Sequence, residues 1–129
     1  MDIIGVSAGL LLLIDGIYLS LIGGPQFSKT VSQIQNSPMK INKFGAIGSY
    51  VLLIFLLNVF ILQPRYSPYK AFLLGFGVYG VFDFTNYAIF SKYDLIVGLL
   101  DMIWGGCLFY MVTKLTYHFE KKKVLVKNK

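Results

Sequence analysis

The chain has 129 residues, a mass of 14.5 kDa and a formal net charge of +6, and its residues are 56% hydrophobic but only 14% charged. Soluble domains carry about 25% charged residues, so this composition excludes an ordinary water-soluble domain. An aromatic content of 16% excludes a disordered chain. Because Cys107 is the only cysteine and there is one histidine, we expect no internal disulfide, no metal centre and no cofactor. The sequence therefore predicts an integral membrane protein.

Four apolar segments have the length of about 20 residues that crosses a bilayer. They cover residues 3–22, 44–62, 71–90 and 95–112. Short links join the last three segments, so consecutive spans are expected to run antiparallel. We therefore predict an all-α, up-down four-helix bundle formed by residues 1–117, followed by a basic tail at 118–129.

The long link after the first span carries its own pattern. A Gly-Gly-Pro sequence at 23–25 is predicted to end the first span, and the proline can start a short helix over 25–36. Phe27, Val31 and Ile34 recur on one side of that helix, which is typical of a helix lying in the membrane interface. A partly ordered loop is the equal alternative, because so short a helix is marginal without support.

Basic residues predict the orientation. Eight lysines and arginines fall on the side of the N-terminus, the link at 63–70 and the chain from Lys114 onwards, whereas four fall on the other side. By the positive-inside rule, both termini are expected to be cytoplasmic. The chain ends explain the net charge and no nucleic-acid motif is present, so we expect no nucleic-acid partner.

The tail contains a lysine cluster, Lys121, Lys122 and Lys123. Such a cluster is expected to contact an anionic membrane surface or a protein partner. The alternative is that it sets the topology and does nothing more.

Three of the spans each contain one charged residue, and in every case it is an aspartate: Asp15, Asp83 or Asp101. Each lies six or seven residues from the same predicted membrane face. At 1.5 Å per residue, all three are expected about 10 Å below that face. No lysine or arginine lies at this depth, so at least one carboxyl group is expected to keep its proton at neutral pH and donate to another.

Residues near these acids are expected to join them inside the bundle. The predicted polar layer consists of Asp15, Tyr18, Asp83, Thr85, Asn86, Asp101 and Trp104. Close helix packing beside it is expected at Gly5, Gly9, Gly80, Gly98 and Gly105, since small residues let membrane helices approach.

Two functions are compatible with such a layer. It can join the helices of a membrane-embedded structural or assembly component, or it can serve a proton- or cation-coupled carrier of a small solute. The structural interpretation is favoured, because only Asn58 continues a polar path towards the other face. No nucleophile and base are paired in the sequence, so we expect no enzyme.

The segment from Tyr79 to Asn86 reads YGVFDFTN, and LDMIWGG follows from Leu100. These segments resemble the YG-x-[YF]-D-[LF]-TN and D-x-x-WG motifs of an uncharacterised family of small bacterial and large-DNA-virus membrane proteins (domain of unknown function, number twenty-one seventy-seven). Asp15 followed by Tyr18-Leu19 is similar to a third motif, D-x-x-[WY]-L. The resemblance implies a four-helix membrane protein with signature positions at Asp15, Asp83, Thr85, Asn86, Asp101 and Trp104. We expect a cell membrane or, because the family has viral members, a virus-associated membrane. The expected partners are capsid proteins, other membrane proteins or further copies of the chain.

Overall fold

A computed structural model of the chain describes the backbone of residues 2–127 and the side chains of residues 2–121. Within this part the chain is helical and contains no strand. The elements in order are α1 (Ile3–Tyr18), a π-helical turn (Leu19–Gly23), α2 (Gly24–Gln35), α3 (Lys43–Leu57), a second π-helical turn (Asn58–Leu62), α4 (Pro68–Ile89) and α5 (Leu95–Lys127). The predicted all-α class is confirmed.

Side-chain caps explain where three of the helices begin. The carboxylate of Asp2 accepts the backbone N–H of Gly5 at the start of α1. Asn42 caps α3 and Ser67 caps α4 in the same way. These residue types at the position before a helix satisfy backbone N–H groups that have no partner within the helix. The caps therefore fix the helix starts from the local sequence alone.

Four helical segments have the length and composition that crosses a membrane. They are Ile3–Gln35, Lys43–Leu62, Pro68–Ile89 and Leu95–Lys121. Large apolar side chains are exposed on the outside of every one of them, for example Leu13, Ile47, Val81 and Ile96. A bundle with an apolar exterior is suited to lipid, where helices satisfy their own backbone groups. The fold is thus a membrane four-helix bundle.

The helices pack unequally. The closest pair is α4 with α5, while α1 lies against α5 and α3. We call the end with the first π-helical turn and the α4–α5 turn the distal face, and the end with Asp2 the terminal face. The apolar core lies towards the terminal face and contains Leu11, Leu57, Ile61, Leu62, Ala71, Leu108, Phe109 and Val112.

The Gly-Gly-Pro sequence at 23–25 does not end the first helix, contrary to expectation. The wider π-helical turn ends at Gly23, and the N–H of Gly24 donates to the carbonyl of Leu19. This turn accommodates Pro25, whose ring and missing N–H are incompatible with a regular α-helical interior. The predicted helix over 25–36 is present as α2, with the same proline in its first turn.

The first helix continues through this π-helical turn into α2, and Ile3–Gln35 is one helical segment. The start of α2 meets α4 through a pair of aromatic rings. The ring of Phe27 lies 6.5 Å from the ring of Phe82, which neighbours Asp83.

The link between α3 and α4 contacts α5 at the terminal face. Arg65, with a left-handed backbone (φ 64°), forms two hydrogen bonds to the carboxylate of Glu120, and these raise the pKa of Arg65. The hydroxyl of Tyr117 donates to the carbonyl of Tyr66 at 2.7 Å. These contacts join the link to α5, which continues as a helix past residue 117, where the basic tail was predicted to begin.

Candidate functional site

Asp15 joins three helices. It is 5% exposed on α1, and each of its carboxylate oxygens accepts one hydrogen bond. The hydroxyl of Tyr50 on α3 donates to Oδ2 at 2.5 Å, and Nε1 of Trp104 on α5 donates to Oδ1 at 2.9 Å. The ring of Tyr18 stacks on the ring of Trp104 with 3.9 Å between centroids. A carboxylate with two such donors needs no cation at its own depth.

Asp83 is covered by the turn between α4 and α5. It is 2% exposed, and its Oδ1 accepts a hydrogen bond of 2.6 Å from the hydroxyl of Tyr93. Burial and this hydrogen bond raise the pKa of Tyr93, so its hydroxyl remains a donor. Gly98 makes the arrangement possible, because a Cβ there would lie 3.3 Å from the Tyr93 ring and 3.4 Å from the Asp83 Cβ. Oδ2 of Asp83 has no hydrogen-bond partner among the described side chains.

Asp101 lies one helical turn after Gly98 and is 8% exposed. Packing places it beside Asp83, because Gly98, one turn earlier, contacts Cβ of Asp83, and Met102, the next residue, packs against Gly80 one turn before Asp83. All three acids lie close enough to Tyr79 to act on it electrostatically. The acids therefore form one layer with two parts, the Asp15 site and the Asp83–Asp101 pair.

Five residues of the predicted polar layer come together: Asp15, Tyr18, Asp83, Asp101 and Trp104. Asn86 is partly buried and lies beside Tyr93. Thr85 is exposed, so its predicted place in the layer is wrong. Two residues beyond Asp83, it points about 200° around the helix axis, towards the outside.

Two residues of the site, Tyr50 and Tyr93, were not predicted from the sequence. Tyr50 lies seven residues after the start of α3 at the distal face, which is the depth predicted for the acids, so its position along the span is a usable signal. Tyr93 gave no such signal, because a link residue reaches the layer only if the turn folds back into the bundle.

Three of the predicted packing glycines lie where α4 meets α5. A Cβ at Gly105 would overlap the ring of Tyr79, and one at Gly80 would lie 3.0 Å from Cε of Met102. Gly98, described above, is the third. Gly75, which was not predicted, faces the backbone carbonyl of Gly105 so closely that a Cβ would overlap it. Glycine therefore sets the separation of these two helices.

The predicted packing of Gly5 and Gly9 is wrong, since both are exposed. The buried residues of α1 are Ser7, Leu11 and Asp15, which are spaced by four along one side of the helix. Gly5 and Gly9 each lie two positions from Ser7, about 200° around the helix axis.

A second polar contact lies nearer the terminal face. The side-chain amide of Asn58, in the second π-helical turn, donates to Oγ of Ser7 at 3.0 Å and to the carbonyl of Ile54 at 2.8 Å. Between this contact and Asp15 lies Leu11, which is fully buried among Leu57 and Leu108. Apolar side chains therefore separate the two polar regions.

The remaining candidates add little chemistry. Among the described residues, no group of three or more histidine, cysteine, aspartate or glutamate side chains could hold a metal ion. Lys121 is exposed at the terminal face. The side chains of Lys122 and Lys123, named in the predicted lysine cluster, lie outside the described part.

Four apolar helices around an internal carboxyl layer define a small polytopic membrane protein, whose outer surface contacts the lipid bilayer. The chain belongs to the family described as "Predicted membrane protein (DUF2177)", whose model matches residues 3–118. This match confirms the resemblance seen in the sequence. No curated protein and no solved structure matches the chain.

Proposed function

We propose that the protein is a membrane-embedded structural or assembly component, whose acid layer holds the helices in one arrangement. The observation that carries this proposal is that Asp15 is satisfied entirely within the bundle, by Tyr50 and Trp104 from two other helices. Interhelical hydrogen bonds in membranes contribute about 0.6 kcal/mol each on average. Several of them specify which helix faces meet, even though each one stabilises the fold little.

The apolar region below the layer also supports a structural role. A conducting path needs polar groups or water across the whole bilayer, because unpaired polar groups in hydrocarbon are costly. Leu11, Leu57 and Leu108 are fully buried between the acids and the contact of Ser7 with Asn58. We accordingly propose that the protein neither transports a solute nor catalyses a reaction.

The second candidate is a proton- or cation-coupled carrier of a small solute. The observation in its favour is the free Oδ2 of Asp83, a buried carboxylate atom beside a second acid. Intramembrane acids of this kind commonly serve ion pathways. The carrier would have to open the apolar region between Asp15 and Ser7 during its cycle.

Flux measurements decide between the two candidates. Purified protein in liposomes loaded with a pH-sensitive dye should show no proton flux above empty liposomes, with or without a gradient of candidate solutes. Flux in the wild type that Asp83→Asn abolishes, with the helices still assembled by circular dichroism and gel filtration, would show a carrier. Asp94→Asn, outside the layer, is the matched control.

The site of assembly is part of the proposal. The excess of basic residues supports a cytoplasmic location of both termini. The viral members of the family favour a capsid protein or another membrane protein as partner. Chemical crosslinking in native membranes, followed by purification in mild detergent, tests this. A Lys121→Ala, Lys122→Ala, Lys123→Ala variant should lose a partner that recognises the lysine cluster, whereas Lys29→Ala on α2 should keep it.

A further inference from the structure

We propose that Asp83 and Asp101 form a proton-binding site in which the two carboxyl groups share one proton at neutral pH. This site extends the proposed structural role, because it makes the contact of α4 with α5 depend on a bound proton. The Asp15 site takes no part, since both oxygens of Asp15 already accept hydrogen bonds.

One carboxylate oxygen of Asp83 lacks a hydrogen-bond donor. The residue is 2% exposed, and Oδ2 has no donor among the described side chains although Oδ1 accepts from Tyr93. A buried carboxylate oxygen without a donor is costly. A proton on the adjacent carboxyl group supplies that donor without any change in the backbone.

The pair has no cationic partner among the described side chains. Gly98 packs against Cβ and Cγ of Asp83, so the nearest turn of α5 offers no side chain. The described titratable groups of the layer are Asp15 and Tyr18 on α1, Tyr50 on α3, Tyr79 on α4 and Tyr93 in the turn, and none is a cation. The lysines of the elements around the pair, Lys29 on α2 and Lys92 in the turn, are exposed. Two carboxylates that meet without a cation cannot both ionise readily, and carboxyl pairs of this kind share a proton.

Shared protonation has a structural consequence. With one proton the pair carries a single negative charge and one strong hydrogen bond between α4 and α5. Removal of that proton would leave two carboxylates in contact at the place where glycines bring these helices closest. The pairing of α4 with α5 should therefore weaken as the pH rises and the proton is lost.

Infrared spectroscopy of the full-length protein in lipid vesicles tests the site directly, with the proton itself as the probe. At neutral pH the wild type should show the C=O stretching band of a protonated carboxylic acid, which moves when aspartate is labelled with ¹³C in its carboxyl group. The band should be lost in both Asp83→Asn and Asp101→Asn, because in each variant an amide replaces one acid and donates to the other. It should persist in Asp15→Asn.

The result that would overturn the proposal is a wild type without this band, or a band that survives Asp83→Asn and Asp101→Asn but is lost in Asp15→Asn. If Asp83→Asn and Asp101→Asn do not fold, spectra of the ¹³C-labelled wild type and of ¹³C-labelled Asp15→Asn still test the proposal. Asp2 and Asp94 are exposed, so a labelled band that persists in Asp15→Asn belongs to Asp83 or Asp101. This experiment does not measure proton flux. It can therefore contradict the proton-binding site without contradicting the structural role, and flux measurements can contradict the structural role without contradicting the site.

Discussion

Aromatic residues donate to both oxygens of Asp15 and to one oxygen of Asp83. Tyrosine and tryptophan suit this role, because their rings remain in an apolar interior while one N–H or O–H reaches a polar partner. Tyr50 and Trp104 donate to Asp15, and Tyr93 donates to Asp83. The donors come from α3, α5 and the α4–α5 turn, so each hydrogen bond also fixes the position of a different element.

Loss of a donor should destabilise the bundle modestly. Tyr50→Phe and Trp104→Phe each leave one carboxylate oxygen of Asp15 without its partner, and each should lower the free energy of unfolding by about 0.6–1.7 kcal/mol. Unfolding in mixed detergent micelles with increasing dodecyl sulfate measures this. Tyr87→Phe is the matched control, because Tyr87 is exposed on α4. Equal effects in all three variants would contradict the assigned contacts.

The position of Tyr93 over Asp83 predicts an effect on the rate of hydrogen–deuterium exchange. Tyr93 lies between Asp83 and the distal face, so Tyr93→Ala should expose the pair and increase the rate of hydrogen–deuterium exchange of the buried acid several-fold. The infrared band of the protonated carboxyl group reports the exchange. Tyr87→Ala should leave the rate unchanged, and the same rate in both variants would show that Tyr93 does not control access.

At the level of helices, glycine determines how α4 and α5 meet. Gly75, Gly98, Gly105 and Gly106 each face an atom of the opposite helix or of the adjoining turn at a distance that a side chain would close. This contact positions Asp83 beside Asp101. The first helix differs, because its π-helical turn accommodates Pro25 and the helix continues into α2.

A methyl group at the α4–α5 contact should be costly. Gly105→Ala would overlap the ring of Tyr79, and overpacking of this kind costs about 1–3 kcal/mol. Gly77→Ala on α4 meets no atom within 4 Å and should leave the stability unchanged or slightly higher. The same detergent unfolding experiment compares the two, and a similar loss for both would argue against close packing here.

The contact at the terminal face should contribute little to stability. Arg65 and Glu120 form an ion pair that is open to solvent, and exposed pairs contribute about 0.2–1 kcal/mol. Glu120→Gln should therefore change the unfolding midpoint only slightly, and less at high salt. The clearer effect of Glu120→Gln should be faster proteolysis of α5 beyond residue 117, because Arg65 in the link between α3 and α4 no longer pairs with this part of α5. Lys92→Gln at the distal face is the control.

For the whole molecule, the arrangement of four spans requires both ends of the chain on one side of the membrane. In a Cys107→Ala background, Lys121→Cys should react with a membrane-impermeant thiol reagent only after the cytoplasmic side is opened, and Lys92→Cys should react in intact cells. The opposite pattern would invert the proposed orientation, while labelling of both from one side would contradict the four-span topology.

The sequence by itself determined the membrane class, the four spans and the depth of the three acids. It could do so because hydropathy and the 1.5 Å rise per residue act along the chain, without reference to neighbours. The family motifs likewise lie within single helices. The same local reasoning placed Thr85, Gly5 and Gly9 inside the bundle, because spacing indicates which residues share a side of a helix but not which side is buried.

Only the tertiary structure decided how the acids are satisfied. The pairing of Asp15 with Tyr50 and Trp104, and of Asp83 with Tyr93, joins residues from 10 to 89 positions apart in the chain. Such contacts depend on the rotation of each helix and on the path of the turns. Packing fixes those features, and packing is a property of all four helices together.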